Sequence, residues 1–264
     1  MSEQQDVIDD LQNANVLGAI RWAYVSATDR TLATYSEADG HDAAWLGTTR
    51  FTLFRDRLDR VSAAERYATT LGNDDADLDL LYAELSDVEA QSMPHLPPGT
   101  MRRSNLNGSP GWAHGDCRFL LAAFTYGGVD TLPWPRKSPT KQRVAAQKDP
   151  DPNQASLFED TELANLAAAL YAEHELDMRT FVVAHSLNPV TEEIELVFGR
   201  PRLNAGGGPA WHWREDLLRM PPADGGRRIG DTPLPTGPNS VPDAPVRLRP
   251  SAQKQPNDRA SGER

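Results

Sequence analysis

A single cysteine, Cys117, stands in this chain of 264 residues, so no internal disulfide can form and stability has to come from packing. A lone thiol fits a reducing compartment. No apolar run approaches the roughly 18 residues that a membrane-spanning helix needs. Ser2–Asp10 is polar and acidic rather than signal-like, so the expectation is a cytoplasmic protein with no membrane partner. Apolar residues make up only 39% and aromatics 7%, and the mean hydropathy of -0.57 is polar for a globular chain. The patterns of common catalysts are absent as well. There is no G-x-S-x-G elbow, paired C-x-x-C, kinase set or H-E-x-x-H helix. The sequence therefore assigns neither an enzyme class nor a cofactor.

Part of the apolar deficit is local. Residues 220–264 hold 9 of the 21 prolines and only six Val, Ile, Leu or Met residues, too few to offset the entropy of ordering them. A disordered tail is expected there, after a single globular domain over 1–219 whose weakest point is the Pro- and Gly-punctuated connection 93–111. The tail carries seven basic and five acidic residues. Taking these from the chain's 27 and 38 leaves 20 basic and 33 acidic residues, a net of -13 for the domain. So acidic a body repels nucleic acid over most of its surface.

What is present centres on residues 180–220. Thr180–Leu187 is β-branched, aromatic and apolar on both faces. Asn188–Thr191 supplies a turn, and in Glu193–Gly199 Ile194, Leu196 and Phe198 alternate with Glu193, Glu195 and Val197. That is a hairpin with one strand inside a sheet and one half-wet. Further strands are read at Thr31–Tyr35, Thr49–Phe54 and Arg118–Thr125. Helices are read at Asp6–Val25, at Leu71–Gln91, at Leu163–Leu176 and, after the hairpin, near Trp211–Met220. The fold expected is α+β, a mostly antiparallel sheet of about five strands with helices packed on one face.

Several segments invite a chemical reading. After the hairpin, Arg200, Arg202 and Asn204 alternate ahead of Gly206, Gly207 and Gly208. A glycine-rich turn into a helix offers amides and a helix dipole to an anion, and two arginines add bidentate recognition of phosphate or carboxylate. His185 and His212 are the acid–base candidates beside it. Leu132–Lys148 is basic without an acid, so Trp134, Arg136, Lys137, Lys141 and Arg143 are the phosphate- or nucleic-acid-contact candidates. Asp74–Glu89 holds seven acids and no base, which suits helix capping and also an acidic docking face; the order of ligands excludes an EF-hand.

Other segments read as structure. His41–Asp42 falls in a loop without partner ligands, and His174, flanked by Glu173 and Glu175, lies about 100° from each on a helix, so no metal site is expected. Cys117 would act as a nucleophile only with His114, His174 or His185 as a base, and reads otherwise as a small hydrophobe.

Two functions remain. One is an accessory protein that engages a protein partner through acidic surfaces and its tail. The other is an enzyme or binding protein for a phosphorylated or carboxylated small molecule.

Overall fold

A computed structural model describes residues 2–68, 74–147, 176, 178–205 and 207–220. The helix expected at 163–176 lies outside these except for its last residue, the tail except for Met220, and Gly206 entirely. The helices are α1 (Glu3–Asn13), α2 (Val16–Thr34), α3 (Ala43–Val61), α4 (Asp74–Tyr82), α5 (Asp87–Ser92) and α6 (Pro139–Ala145). The strands are β1 (Arg102–Arg103), β2 (Gly111–His114), β3 (Cys117–Ala123), β4 (Arg179–Leu187), β5 (Ile194–Pro201) and β6 (Trp211–Asp216).

The strands form one six-stranded sheet in sequence order, α+β as expected. Neighbours are antiparallel except β3 and β4, which are parallel in register from Cys117↔Arg179 to Ala123↔His185. A parallel step requires a crossover. The described start of that crossover runs through 3-10 turns at Val129–Thr131 and Trp134–Arg136 into α6.

The sheet is buried on both faces. On one, Phe119, Leu121, Phe181, Val183, Leu196 and Phe198 pack with Leu11, Ile20, Tyr24, Phe54 and Leu58 of α1–α3. On the other, Leu120, Ala122, Val182, Ala184 and Val197 meet Val129, Leu132, Trp134, Val144 and Trp211. Alternation along β3 and β4 serves both cores, which is why these strands are apolar throughout.

Three readings of the sequence are corrected. Thr31–Tyr35 is not a strand but the last turn of α2; the Thr28 and Thr31 hydroxyls bond back to Tyr24 O and Ala27 O, so β-branched residues sit in a helix without unsatisfied groups. Thr49–Phe54 is not a strand but the middle of α3. The alternation of Phe51 and Leu53 with Arg50 and Thr52 hid a longer stripe, Leu46, Arg50, Phe54, Leu58 and Val61, that faces inward at helical spacing. Trp211–Met220 is not a helix: Trp211–Asp216 is β6, paired antiparallel to β5 across a bulge at Arg200/Pro201.

Smaller differences have local causes. The helix expected at 6–25 is broken by Asn15, at φ 59°, a left-handed conformation that asparagine tolerates. The helix expected at 71–91 is interrupted at Glu84, and α5 restarts on a Ser86–Glu89 capping box. The connection 93–111 contributes β1 and the first residue of β2 to the sheet. His41 and Asp42 lie in the connection between α2 and α3. Asp42 caps α3 through Trp45 N–H, and the His41 ring stacks on Trp45 at 3.8 Å.

Candidate functional site

The parallel strands end level, with Ala123 opposite His185 and Phe124 N–H donating to His185 O at 3.1 Å. Ligands of sheets with parallel strands favour the carboxyl ends of those strands, where the chain departs in different directions. Four polar side chains gather around this end, and their charges do not balance.

His185 lies on the helix side of β4, 1% exposed, its ring centroid 5.4 Å from both Tyr24 and Phe54 and 6.4 Å from Phe51. Neither ring nitrogen has a hydrogen-bond partner. Burial, followed by the charges of Arg50, Lys141 and Lys137, pushes its pKa down to about 3, so the ring is neutral. Arg50 reaches in from the inward stripe of α3 and is 6% exposed. Its Nε is unpartnered, and among the described residues it forms no ion pair. Burial lowers its pKa, with Tyr24 the opposing influence.

Lys137 and Lys141 approach from the crossover, both half-buried. Lys137 Nζ donates to Ala123 O at 2.5 Å, at the last residue of β3. Burial lowers both lysines' pKa values, and Lys137 lowers that of Lys141 further. Tyr24 closes the floor: its hydroxyl donates to Ser186 O at 2.5 Å, and burial pushes its pKa up to about 12. Glu195 of β5 is engaged elsewhere, accepting from Ser186 Oγ at 2.8 Å and Gly127 N–H at 2.9 Å.

The arrangement is three cations and a neutral, unpartnered imidazole with no carboxylate bonded to any of them among the described residues. A buried charge left uncompensated costs several kcal/mol, and an anion placed among these groups offsets that cost.

The glycine-loop candidates are placed differently from one another. Arg200 is 6% exposed and pairs with Glu3 of α1 at 2.5 Å. Arg202 is exposed, its N–H donating to Ala210 O. Asn204 is a bracket: its amide donates to Leu132 O at 3.2 Å and to Gly208 O at 3.4 Å, and its Oδ1 accepts from Trp134 N–H. Gly207 and Gly208 have φ of 90° and 93°, which explains the glycines. The chain then enters β6, so no helix dipole faces the loop. An open hollow of about 500 Å³ beside it is lined by Asp130, Gly208, Trp211, His212 and Arg214, with Arg214 paired to Asp130 at 2.8 Å. His212 is half-buried in β6.

The basic segment also divides. Trp134 is fully buried, with Nε1 donating to Ala210 O at 2.6 Å, and offers no stacking face. Arg136 is exposed and Arg143 half-buried, while Lys137 bonds Ala123 O and both Lys137 and Lys141 act electrostatically on His185. Cys117 is 2% exposed and burial pushes its pKa up to about 12, which disfavours a nucleophilic thiolate. Among the described residues no group of three or more His, Cys, Asp or Glu side chains is placed to hold a metal, and no helix is long and apolar enough to cross a membrane.

Arg50 and Tyr24 were missed from sequence. The one signal for Arg50 is an arginine on the inward stripe of an amphipathic helix, visible only once 43–61 is read as helical. Compared with family models, curated proteins and solved structures, the chain matches none.

Proposed function

We propose that this protein binds the anionic group of a phosphorylated or carboxylated small molecule among Arg50, Lys137, Lys141 and His185. The observation that carries the reading is Arg50, a buried guanidinium without a carboxylate partner among the described residues. Support comes also from the two desolvated lysines and from His185, whose free ring nitrogens can donate to a bound group or exchange a proton with it. A small molecule suits this cluster better than a nucleic-acid backbone, since Trp134 is buried and the chain's formal charge is -11. A cytoplasmic, reducing setting accords with the lone buried thiol.

The test is a thermal-shift panel of phosphomonoesters, carboxylates and short oligonucleotides on the full chain, with Arg50→Met and Lys137→Met beside it. A ligand at 100 times its Kd adds roughly 2.7 kcal/mol of stability. A shift given by small anions and lost in both variants supports the reading; shifts retained in the variants, or none across the panel, remove it.

A second reading, engagement of a protein partner, rests on α4 and α5. Leu78, Leu80 and Val88 are 44%, 45% and 76% exposed beside the exposed acids Asp79, Glu84 and Asp87. Such a face suits a partner segment that is apolar and basic. Its test is capture of a partner by the native chain and loss of that partner on Leu80→Lys/Val88→Lys.

A further inference from the structure

We propose that the group bound at this cluster is a dianionic phosphomonoester, held by Arg50, Lys137 and Lys141 and by a hydrogen bond donated from the neutral His185 ring. This rests on the anion-binding reading and goes further by choosing among anions.

Charge makes the first distinction. One negative charge, as on a carboxylate or a phosphodiester, leaves two of three crowded cations uncompensated in a region of low dielectric; two negative charges leave one. The second distinction is the number of acceptors. The donors stand on three elements: Arg50 on α3, His185 on β4, and Lys137 and Lys141 on the crossover, where Lys137 Nζ bonds the carbonyl of Ala123, the residue paired with His185. A carboxylate has two oxygens to share among four donor groups, whereas a phosphoryl group has three terminal oxygens and a tetrahedral spread.

His185 fits the donor role because its ring nitrogens are buried and unpartnered. The groups acting on it are Arg50, Lys141 and Lys137, with the Tyr24 ring packed against it and its hydroxyl committed to Ser186 O. Glu195 is bonded to Ser186 and Gly127 and is not among them. A neutral imidazole donates one N–H without adding a fourth charge to the cluster. Lys137 and Lys141, both half-buried, are the members of the cluster most open to solvent.

The experiment is titration calorimetry on the full chain with permanently charged probes. Sulfate stands for the dianion, and acetate and dimethyl phosphate for the carboxylate and the diester, at pH 7.5. Sulfate binding about tenfold or more tighter than either monoanion is the expected result. Methyl phosphate is then compared with sulfate between pH 5 and pH 8, so that titrations of the protein cancel. Its relative affinity falls as the ligand regains its second proton near pH 6. His185→Phe, which keeps a ring among Tyr24, Phe51 and Phe54, weakens sulfate binding about tenfold. Equal affinity for sulfate and the monoanions overturns the dianion assignment and leaves the anion site standing. Unchanged sulfate binding in His185→Phe overturns the role of the histidine. Absence of any anion binding removes both proposals.

Discussion

Helix α3 carries buried arginines in the middle and in the last turns of its inward surface, and they are treated differently. Arg57 and Arg60 are each met by acids. Arg57 bonds Asp56 at 2.9 Å, Glu89 at 3.1 Å and Ser26 Oγ at 2.9 Å. Arg60 bonds Asp56 at 2.8 Å and the carbonyls of Leu81 and Ala83 at 2.7 and 2.9 Å, tying α3 to the end of α4 and the turn after it. Two turns before Arg57, Arg50 is also buried, at 6% exposed, and has no such partners among the described residues. Buried charge alone therefore marks nothing. A balanced network is architecture, and an unbalanced one requires something from outside to complete it.

The comparison can be broken in four ways. The largest effect is expected from Arg57→Ala, which leaves the half-buried Glu89 without a cationic partner, while Asp56 keeps Arg60 and Arg66. The substitution lowers stability by about 3–5 kcal/mol, read as a drop in the urea midpoint. A loss under about 1 kcal/mol makes the network ornamental.

Acid separates the two regions by pH window. Burial raises the Glu89 pKa, but hydrogen bonds from Ser26, Ser86 and Arg57 outweigh it and hold the pKa at about 2, below the ordinary 4.5. The stability from this carboxylate is present above pH 4.5 and is lost as pH falls toward 2. The folded pKa of His185 is about 3 against an ordinary 6.5, so below pH 6.5 the unfolded chain takes up a proton that the folded chain refuses, and stability falls with pH. Each full proton of difference is worth about 1.4 kcal/mol per pH unit. Chemical denaturation across pH is expected to lose one proton's worth of slope between 6.5 and 3 in His185→Phe, and one between 4.5 and 2 in Glu89→Gln. A native slope that survives either substitution contradicts that assignment.

Arg50→Met removes a charge that nothing balances, so it leaves stability within about 1 kcal/mol of native or raises it, while abolishing anion binding. A loss of several kcal/mol makes Arg50 structural. The smallest effect is expected from Arg202→Ala, exposed and remote in role: about 0.5 kcal/mol or less in denaturant melts, with anion affinity unchanged.

The sequence is legible where periodicity runs long and uninterrupted. β4 and β5 stand out as runs rich in β-branched and aromatic residues, and β3 as a short apolar run closed by Gly127 and Gly128. α3 was obscured because a six-residue window, Thr49–Phe54, satisfies period 2 while the full Ala43–Val61 stretch satisfies the helical period. β6 was obscured because Trp211–Asp216 ends in charges that suit a helix as well as an edge strand.

The site was legible only in pieces. His185 was singled out as an acid or base, and Lys137 and Lys141 as part of a basic patch, in separate hypotheses. What joins them is the parallel pairing of β3 with β4, a non-local contact that no local pattern encodes. The glycine loop drew attention through its composition, yet Asn204 and the positive φ of Gly207 and Gly208 account for that composition as a bracket between β5 and β6.

The most direct test of the central claim is crystallographic. Crystals of the full chain soaked in selenate, a dianion with a strong anomalous signal, are mapped at the selenium edge. The account predicts a peak within hydrogen-bond distance of the Arg50 guanidinium and the His185 ring, with Lys137 and Lys141 turned toward it. A map with selenate only at exposed arginines such as Arg202, and none beside Arg50, contradicts it.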